Sequence, residues 1–235
     1  MQDITPFQFN EFKQFGVDYG LSAEAEVYDE RHGQFRDVEN ENRLLLDRLD
    51  LDPDSVLIDF GAGTGRLAAA AARGCRMVYA VDVSEAMLAK AKARAEAEGL
   101  SNIAFCHAGF LNYRHEGAKA AAVTASFSLH HLPDFWKGIA LGRIHQMLAE
   151  GGTLFIRDIV LQDGDPLGAI SDFVETQRGL GGDPLAEDAQ MHFREEFSTY
   201  DWVMRGLLER HGFRIQDELF SDGVLAEYYC VKEPL

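Results

Sequence analysis

A glycine loop, two acids at the ends of apolar runs and a pair of adjacent histidines are the residues here whose types and spacing could do chemistry. In "VLIDFGAGTGRLAAAAARG", Val56 to Gly74, the glycines Gly61, Gly63 and Gly65 follow an apolar run directly and precede an alanine-rich one. Glycine lets the main chain turn sharply and lets a ligand approach it without a Cβ in the way. A helix starting just beyond would offer backbone N–H groups to an anionic or polar ligand. Asp82 ends the next apolar run, "VYAVD", 21 residues past Gly61. A carboxylate there can accept hydrogen bonds from both hydroxyls of a ribose. His130 and His131 follow a fourth run in "SFSLHHLPD", and either could take a proton near neutral pH. The same segment also reads as a turn leading into a helix. Asp158 lies beside Arg157 in "FIRDIV", where charge is costly unless satisfied, so it faces a substrate cavity or forms a salt bridge.

These residues need elements to hold them. Apolar runs read as strands near 55–60, 76–81, 102–106, 121–127 and 153–160, alternating with helices over 66–73, 84–98 and 134–150. That alternation is the pattern of a parallel sheet covered by helices. Ser84 and Asp134 stand where they can cap the second and third helices, and Gly74, Gly99 and Gly151-Gly152 close the three. The ending differs. Ser198 and Asp201 form a capping box for an amphipathic helix, and two strands follow, joined through Ser221-Asp222-Gly223. The expected fold is therefore α/β, a Rossmann-like, seven-stranded, mostly parallel sheet with an antiparallel C-terminal hairpin and helices on both faces.

We expect one domain over 1–235. It divides into an N-terminal helical lid (1–50), a cofactor-binding core (51–160), an insertion (161–197) and the C-terminal helix and hairpin (198–235). The insertion joins a strand to a helix with more chain than such connections usually need. It contains a short helix, "GAISDFVETQRG", and the hinge-like "GLGGDP". Insertions at the carboxyl ends of strands commonly wall a ligand site, the alternative being a surface decoration or a contact in a homodimer.

Composition excludes several classes. With 39 acidic and 22 basic residues the net charge is −17, and the basic residues are scattered singly. Phosphate backbones and anionic membranes would repel such a surface, so nucleic acid is disfavoured as a partner. No window approaches a membrane span, and the start lacks a secretory signal. Cys75, Cys106 and Cys230 form no metal spacing and suit a reducing cytoplasm. With no H-E-x-x-H and no clustered cysteines, we expect no metal.

The glycine spacing narrows the ligand. A dinucleotide fingerprint would place its third glycine at position 66, which is Arg66, and no P-loop pattern exists. "DFGAGTG", with Asp59 two residues before the first glycine, instead resembles the first motif of class I S-adenosylmethionine (SAM)-dependent methyltransferases of the small-molecule type. The resemblance extends over roughly 54–160 and more weakly to the end. "SFSLHHLPDFWKGIALGRIHQMLAEGGTLFIRD" is similar to the fourth strand, its helix and the fifth strand of small-molecule members.

The resemblance implies that Asp59, Gly61, Ala62, Gly63 and Gly65 form the donor loop, and that Asp82 holds the ribose. It implies that Val83 and Met87 line the adenine pocket and that Ser128 stands beside the donor. Where the family commonly has an acid near the adenine amine, this chain has Ala108-Gly109-Phe110, leaving Gly109 and Phe110 as the candidates there. Tyr28, in "VYDERH", resembles the tyrosine of the family's lid. His131, His130 and Asp158 are the candidate catalytic residues, with S-adenosylhomocysteine the product left by in-line methyl transfer to a small-molecule acceptor. His192 and Tyr200 could wall the pocket, but read better as surface residues. A nicotinamide-dependent oxidoreductase is the enzymatic alternative. A non-catalytic subunit that kept the fold is the other.

Overall fold

The computed structural model describes residues 6–13 and 37–234. The elements are α1 (Val38–Leu49), β1 (Val56–Phe60), α2 (Arg66–Ala72), β2 (Met77–Asp82), α3 (Glu85–Ala97), β3 (Ile103–His107) and β4 (Ala120–Ser126). A 3-10 turn, Leu129–His131, leads to α4 (Asp134–Met147), β5 (Leu148–Leu161) and α5 (Pro166–Glu195). The chain continues through β6 (Thr199–Tyr200), α6 (Asp201–Arg210), β7 (Phe213–Ser221) and β8 (Leu225–Lys232). The sheet runs β3-β2-β1-β4-β5-β8-β7, with β6 paired separately to β5. Contacts from β3 to β5 are parallel, whereas β8 is antiparallel to both β5 and β7.

The side-chain alternation along each strand divides the core between two faces. On one face Val56, Ile58 and Phe60 of β1 pack with Ala140, Leu141 and Ile144 of α4 and Met204 and Leu208 of α6. On the other, Leu57 packs with Leu45 and Leu49 of α1 and with Leu67, Ala68 and Ala71 of α2. β1 is buried at all five residues, as a central parallel strand must be. The order of connection reverses between β1 and β4, and this opens a crevice at their carboxyl ends. The glycine loop, Asp82 and the two histidines all sit at that end.

Several local expectations change. Helix α4 stops at Met147 rather than 150, because Leu148 already pairs with Ala120 of β4 and its carbonyl accepts from Lys232 Nζ at 3.0 Å. Ser84 does cap α3, accepting from the Met87 amide at 3.1 Å. Asp134 caps nothing: Pro133 holds the capping position, and the Asp134 carboxylate instead accepts from buried Lys137 at 2.8 Å and from Thr199 at 3.1 Å. No capping box forms at Ser198 and Asp201. There β6 pairs with β5, Ser198 meets His192 and Asp201 is bound by Arg205 and the Tyr228 hydroxyl.

Segment 161–197 is more regular than its sequence suggests. It is helical from Pro166 to Glu195, kinked where Gly181 and Gly182 leave helical geometry just before Pro184. The hinge is in "GLGGDP", but helix continues on both sides of it. The β7–β8 turn is made by Asp222 and Gly223, both left-handed at φ 51° and 71°. No helix among the described residues is long and apolar enough to cross a membrane. The three cysteines are free thiols.

Candidate active site

The loop after β1 is held from beneath. The Gly61 and Ala62 amides donate to the Val81 carbonyl at 2.9 and 3.1 Å, and the Gly63 amide donates to Asp82 Oδ2 at 2.8 Å. These first three amides are therefore engaged within the protein rather than directed at a ligand. The glycines have different tasks. Gly61 (φ 68°) backs onto Ser128, and a Cβ on Gly65 (φ 76°) would stand 2.7 Å from that of Ala91, so Gly65 serves the packing of α2 on α3. A Cβ on Gly63 would meet open space.

Asp82 ends β2 nearly buried, its second oxygen accepting from the Ser84 amide at 2.8 Å. Burial raises its pKa, against the pull of the Ser84 and Gly63 amides and of His107. Asp59 lies deeper, accepting from the Thr124 hydroxyl at 2.7 Å. Burial lifts its pKa to about 7, with Thr124 opposing and Asp82 adding to the rise.

A cavity of about 400 Å³ spreads over this surface. Gly61, Gly63, Asp82, Val83, Met87, Gly109, Phe110, Ser128, His130 and His131 all line it. Asp59, Ala62, Gly65 and Asp158 do not line it; Asp59 is tied to Thr124 of β4, and Asp158 sits behind His130. Tyr28 lies outside the described residues. The Phe110 ring is stacked on Phe60, centroids 4.7 Å apart, and both line the cavity.

Glu11, from the short N-terminal segment, was not singled out in the sequence. Its Oε1 accepts from the Leu111 amide at 2.8 Å, and a Cβ on Gly109 would overlap its Oε2. Burial raises its pKa to about 7, while the Leu111 and Phe110 amides and Arg143 act the other way. A carboxylate one hundred positions distant in the chain has no local signal. The bare Gly109 was the only hint that something else fills that space.

The two histidines differ sharply. His130 is buried with its Nδ1 against Asp158 and its Nε2 3.0 Å from Glu196 Oε2. Burial opposes its charge, but the two carboxylates prevail and raise its pKa to about 9. Burial tends to raise Asp158 too, yet the His130 charge and hydrogen bond hold it below the ordinary carboxylate range. The two thus form a charge pair in the wall, with Asp158 behind the His130 ring. His131 is neutral at pH 7: burial and the neighbouring His130 charge lower its pKa to about 4. His192, expected at the surface, lines the cavity with its Nδ1 2.7 Å from Glu196 Oε2. Tyr200 is at the surface, stacked on Trp202.

A methyltransferase-domain family model matches residues 57–152. An uncharacterized methyltransferase of Geobacillus kaustophilus (strain HTA426) is 31% identical over 203 residues, covering 86% of each chain. The chain belongs to the class I SAM-dependent methyltransferase family. Solved structures share the fold of this methyltransferase. A SAM-dependent methyltransferase from Aquifex aeolicus superposes with a TM-score of 0.63 at 16% identity, covering 90% of this chain and 98% of that one. Magnesium protoporphyrin IX methyltransferase from Synechocystis PCC 6803, solved with bound SAM, gives 0.59 at 16% identity over 95% and 88%. In this methyltransferase the family's glycine loop and the acid after β2 are the two features joined by the hydrogen bond from Gly63 to Asp82.

Proposed function

We propose that this chain transfers a methyl group from SAM to a small-molecule acceptor, with the donor lying along the cavity from Gly109 to His131. The observation that carries the reading is Asp82, a nearly buried carboxylate at the cavity wall, beside a glycine with no Cβ between main chain and ligand. Bound SAM supplies a methyl carbon already electrophilic on its sulfonium, so an aligned acceptor displaces S-adenosylhomocysteine without further activation of the donor. The residues contribute position and dryness. Asp82 meets the ribose, Val83, Met87 and Phe110 border the base, and Gly61, Gly63 and Ser128 border the remainder. The wall formed by α5, with Phe173, Leu185 and Ala189, closes the other side and favours an apolar acceptor. His131 lines the cavity as a neutral ring, able to accept a hydrogen bond from an oxygen or nitrogen acceptor and hold it in position. Free thiols and the acidic surface suit a cytoplasmic enzyme acting on small molecules. Calorimetric titration with SAM and S-adenosylhomocysteine tests the donor. Micromolar binding of both supports it, and binding of a nicotinamide cofactor instead would overturn it.

Glu11 extends the donor site. Its carboxylate lies at the cavity edge beside Gly109, where the exocyclic amine of adenine would find an acceptor. Glu11→Ala is expected to weaken SAM binding about tenfold, the worth of one charge-assisted hydrogen bond. Stability should respond in the opposite sense. A carboxyl raised to about 7 in the folded chain costs nothing below the unfolded pKa, near 4.5. Stability is then lost as pH rises from there to 7. Ligand-free Glu11→Gln should therefore be more stable than wild type at pH 8, by roughly 1–3 kcal/mol. At pH 4.5 the two should unfold alike. Denaturant titrations at both values measure this, and equal stabilities at pH 8 would refute the burial of Glu11.

A further inference from the structure

We propose that His130, His192 and Glu196 form a binding site for a divalent first-row transition metal ion, zinc in the first instance, at the acceptor end of the cavity. The three donor atoms, His130 Nε2, His192 Nδ1 and Glu196 Oε2, lie within 4.8 Å of one another. They come from two elements. His130 is in the short turn after β4, and His192 and Glu196 are one helical turn apart at the carboxyl end of α5, so their side chains share a face. The single oxygen of Glu196 is 3.0 Å from His130 and 2.7 Å from His192, with His131 Nδ1 at 3.7 Å.

The outer partners point the same way. Each ring has its second nitrogen occupied, Nδ1 of His130 by the Asp158 carboxylate and Nε2 of His192 by Ser198 Oγ at 2.7 Å. Such partners orient the rings and aim the remaining nitrogens, as they do for histidines that ligate metal. Asp158 is itself held by the amides of His130 and Ile159, at 2.9 and 2.8 Å. Two imidazoles and one carboxylate suit zinc and its neighbours. All three residues line the cavity, so a fourth position would face the acceptor. Metal entry exchanges the protons through which the rings meet Glu196 for the ion, and those protons leave to solvent. The two carboxylates, Glu196 and Asp158, balance the ion's charge. On the methyltransferase reading above, a metal there would bind the acceptor's oxygen or sulfur and favour its deprotonated form. His130 is 62 positions from His192 and 66 from Glu196, so no spacing motif announces the set.

The test uses untagged full-length protein, stripped with a chelator and titrated with Co²⁺ while visible d–d absorption is followed. Zinc is then added in competition. The site predicts one equivalent of Co²⁺ with tetrahedral-type bands, displaced by one equivalent of zinc. Uptake should be abolished in His192→Ala and Glu196→Gln and weakened about tenfold or more in Ser198→Ala, which touches only the outer partner. SAM titration of each variant shows whether it is folded. No uptake by wild type, or uptake unchanged in variants that still bind SAM, overturns the metal site and leaves the donor reading standing. Uptake as predicted without any SAM binding would do the reverse.

Discussion

Asp82→Ala should weaken SAM binding by at least about 100-fold, roughly 3 kcal/mol, while the protein remains folded. The carboxylate has two relations to lose. It ties the glycine loop to the end of β2 through the Gly63 amide and starts α3 through the Ser84 amide. It also lines the cavity, where a pair of ribose hydroxyls can replace the backbone donors or share the oxygens with them. Hydrogen bonds to a charged group are worth about 1.5–3 kcal/mol each, so losing two accounts for the factor. Folding should suffer less. Burial disfavours the charge of Asp82, and removing it relieves that cost even as two amides lose their acceptor. Asp82→Asn, which keeps one acceptor oxygen, should fall about midway on a logarithmic scale. Calorimetry on the three proteins measures the series. Wild-type affinity in Asp82→Ala would remove the ribose from this position.

What the sequence made legible was whatever repeats along the chain. Strand and helix periods, the glycine loop and the acid 21 positions later pointed to the sheet and to the residues that share one cavity at its carboxyl end, because each is a local pattern with one backbone solution. What it hid depends on partners remote in sequence. Asp134 has the type and place of a cap, but a buried ammonium, Lys137, competes for it and bridges to the Phe197 carbonyl at 2.5 Å, so the tertiary partner wins. Ser198 and Asp201 lose their box for the same reason, since pairing of β6 to β5 fixes the backbone before any cap can form. His130 and His131 are adjacent and chemically identical in sequence. Only the fold places two carboxylates on the first and a positive neighbour beside the second, and so separates a fixed ion pair from a neutral ring. Glu11 shows the same limit at the other end of the cavity. The missing side chain at Gly109 is visible in the sequence, and the carboxylate that fills its space is not.

Gly61→Ala should destabilise the protein by roughly 2–5 kcal/mol, and the cause can be divided experimentally. At φ 68° any Cβ is strained, which accounts for about 1–2 kcal/mol. The added methyl would also overlap the Ser128 Cβ and stand 2.8 Å from its Oγ, an overpacking worth about 1–3 kcal/mol. Ser128 has little room to withdraw, since its hydroxyl donates to the Phe60 carbonyl at 3.2 Å in the buried floor of the site. Gly63→Ala isolates the first contribution. Its φ is 53° and nothing lies within 4 Å of the new methyl, so only about 1–2 kcal/mol should be lost. Ser128→Gly isolates the second. Added to Gly61→Ala it should recover the overpacking and leave the backbone strain, so the double variant should be more stable than Gly61→Ala alone. Denaturant unfolding of wild type, Gly61→Ala, Ser128→Gly and the double variant closes the cycle, with Gly63→Ala measured beside it. If Ser128→Gly gives no recovery, the glycine is required by its backbone angle alone. The close approach of the β1 and β4 loops would then not be what the first glycine of the motif serves.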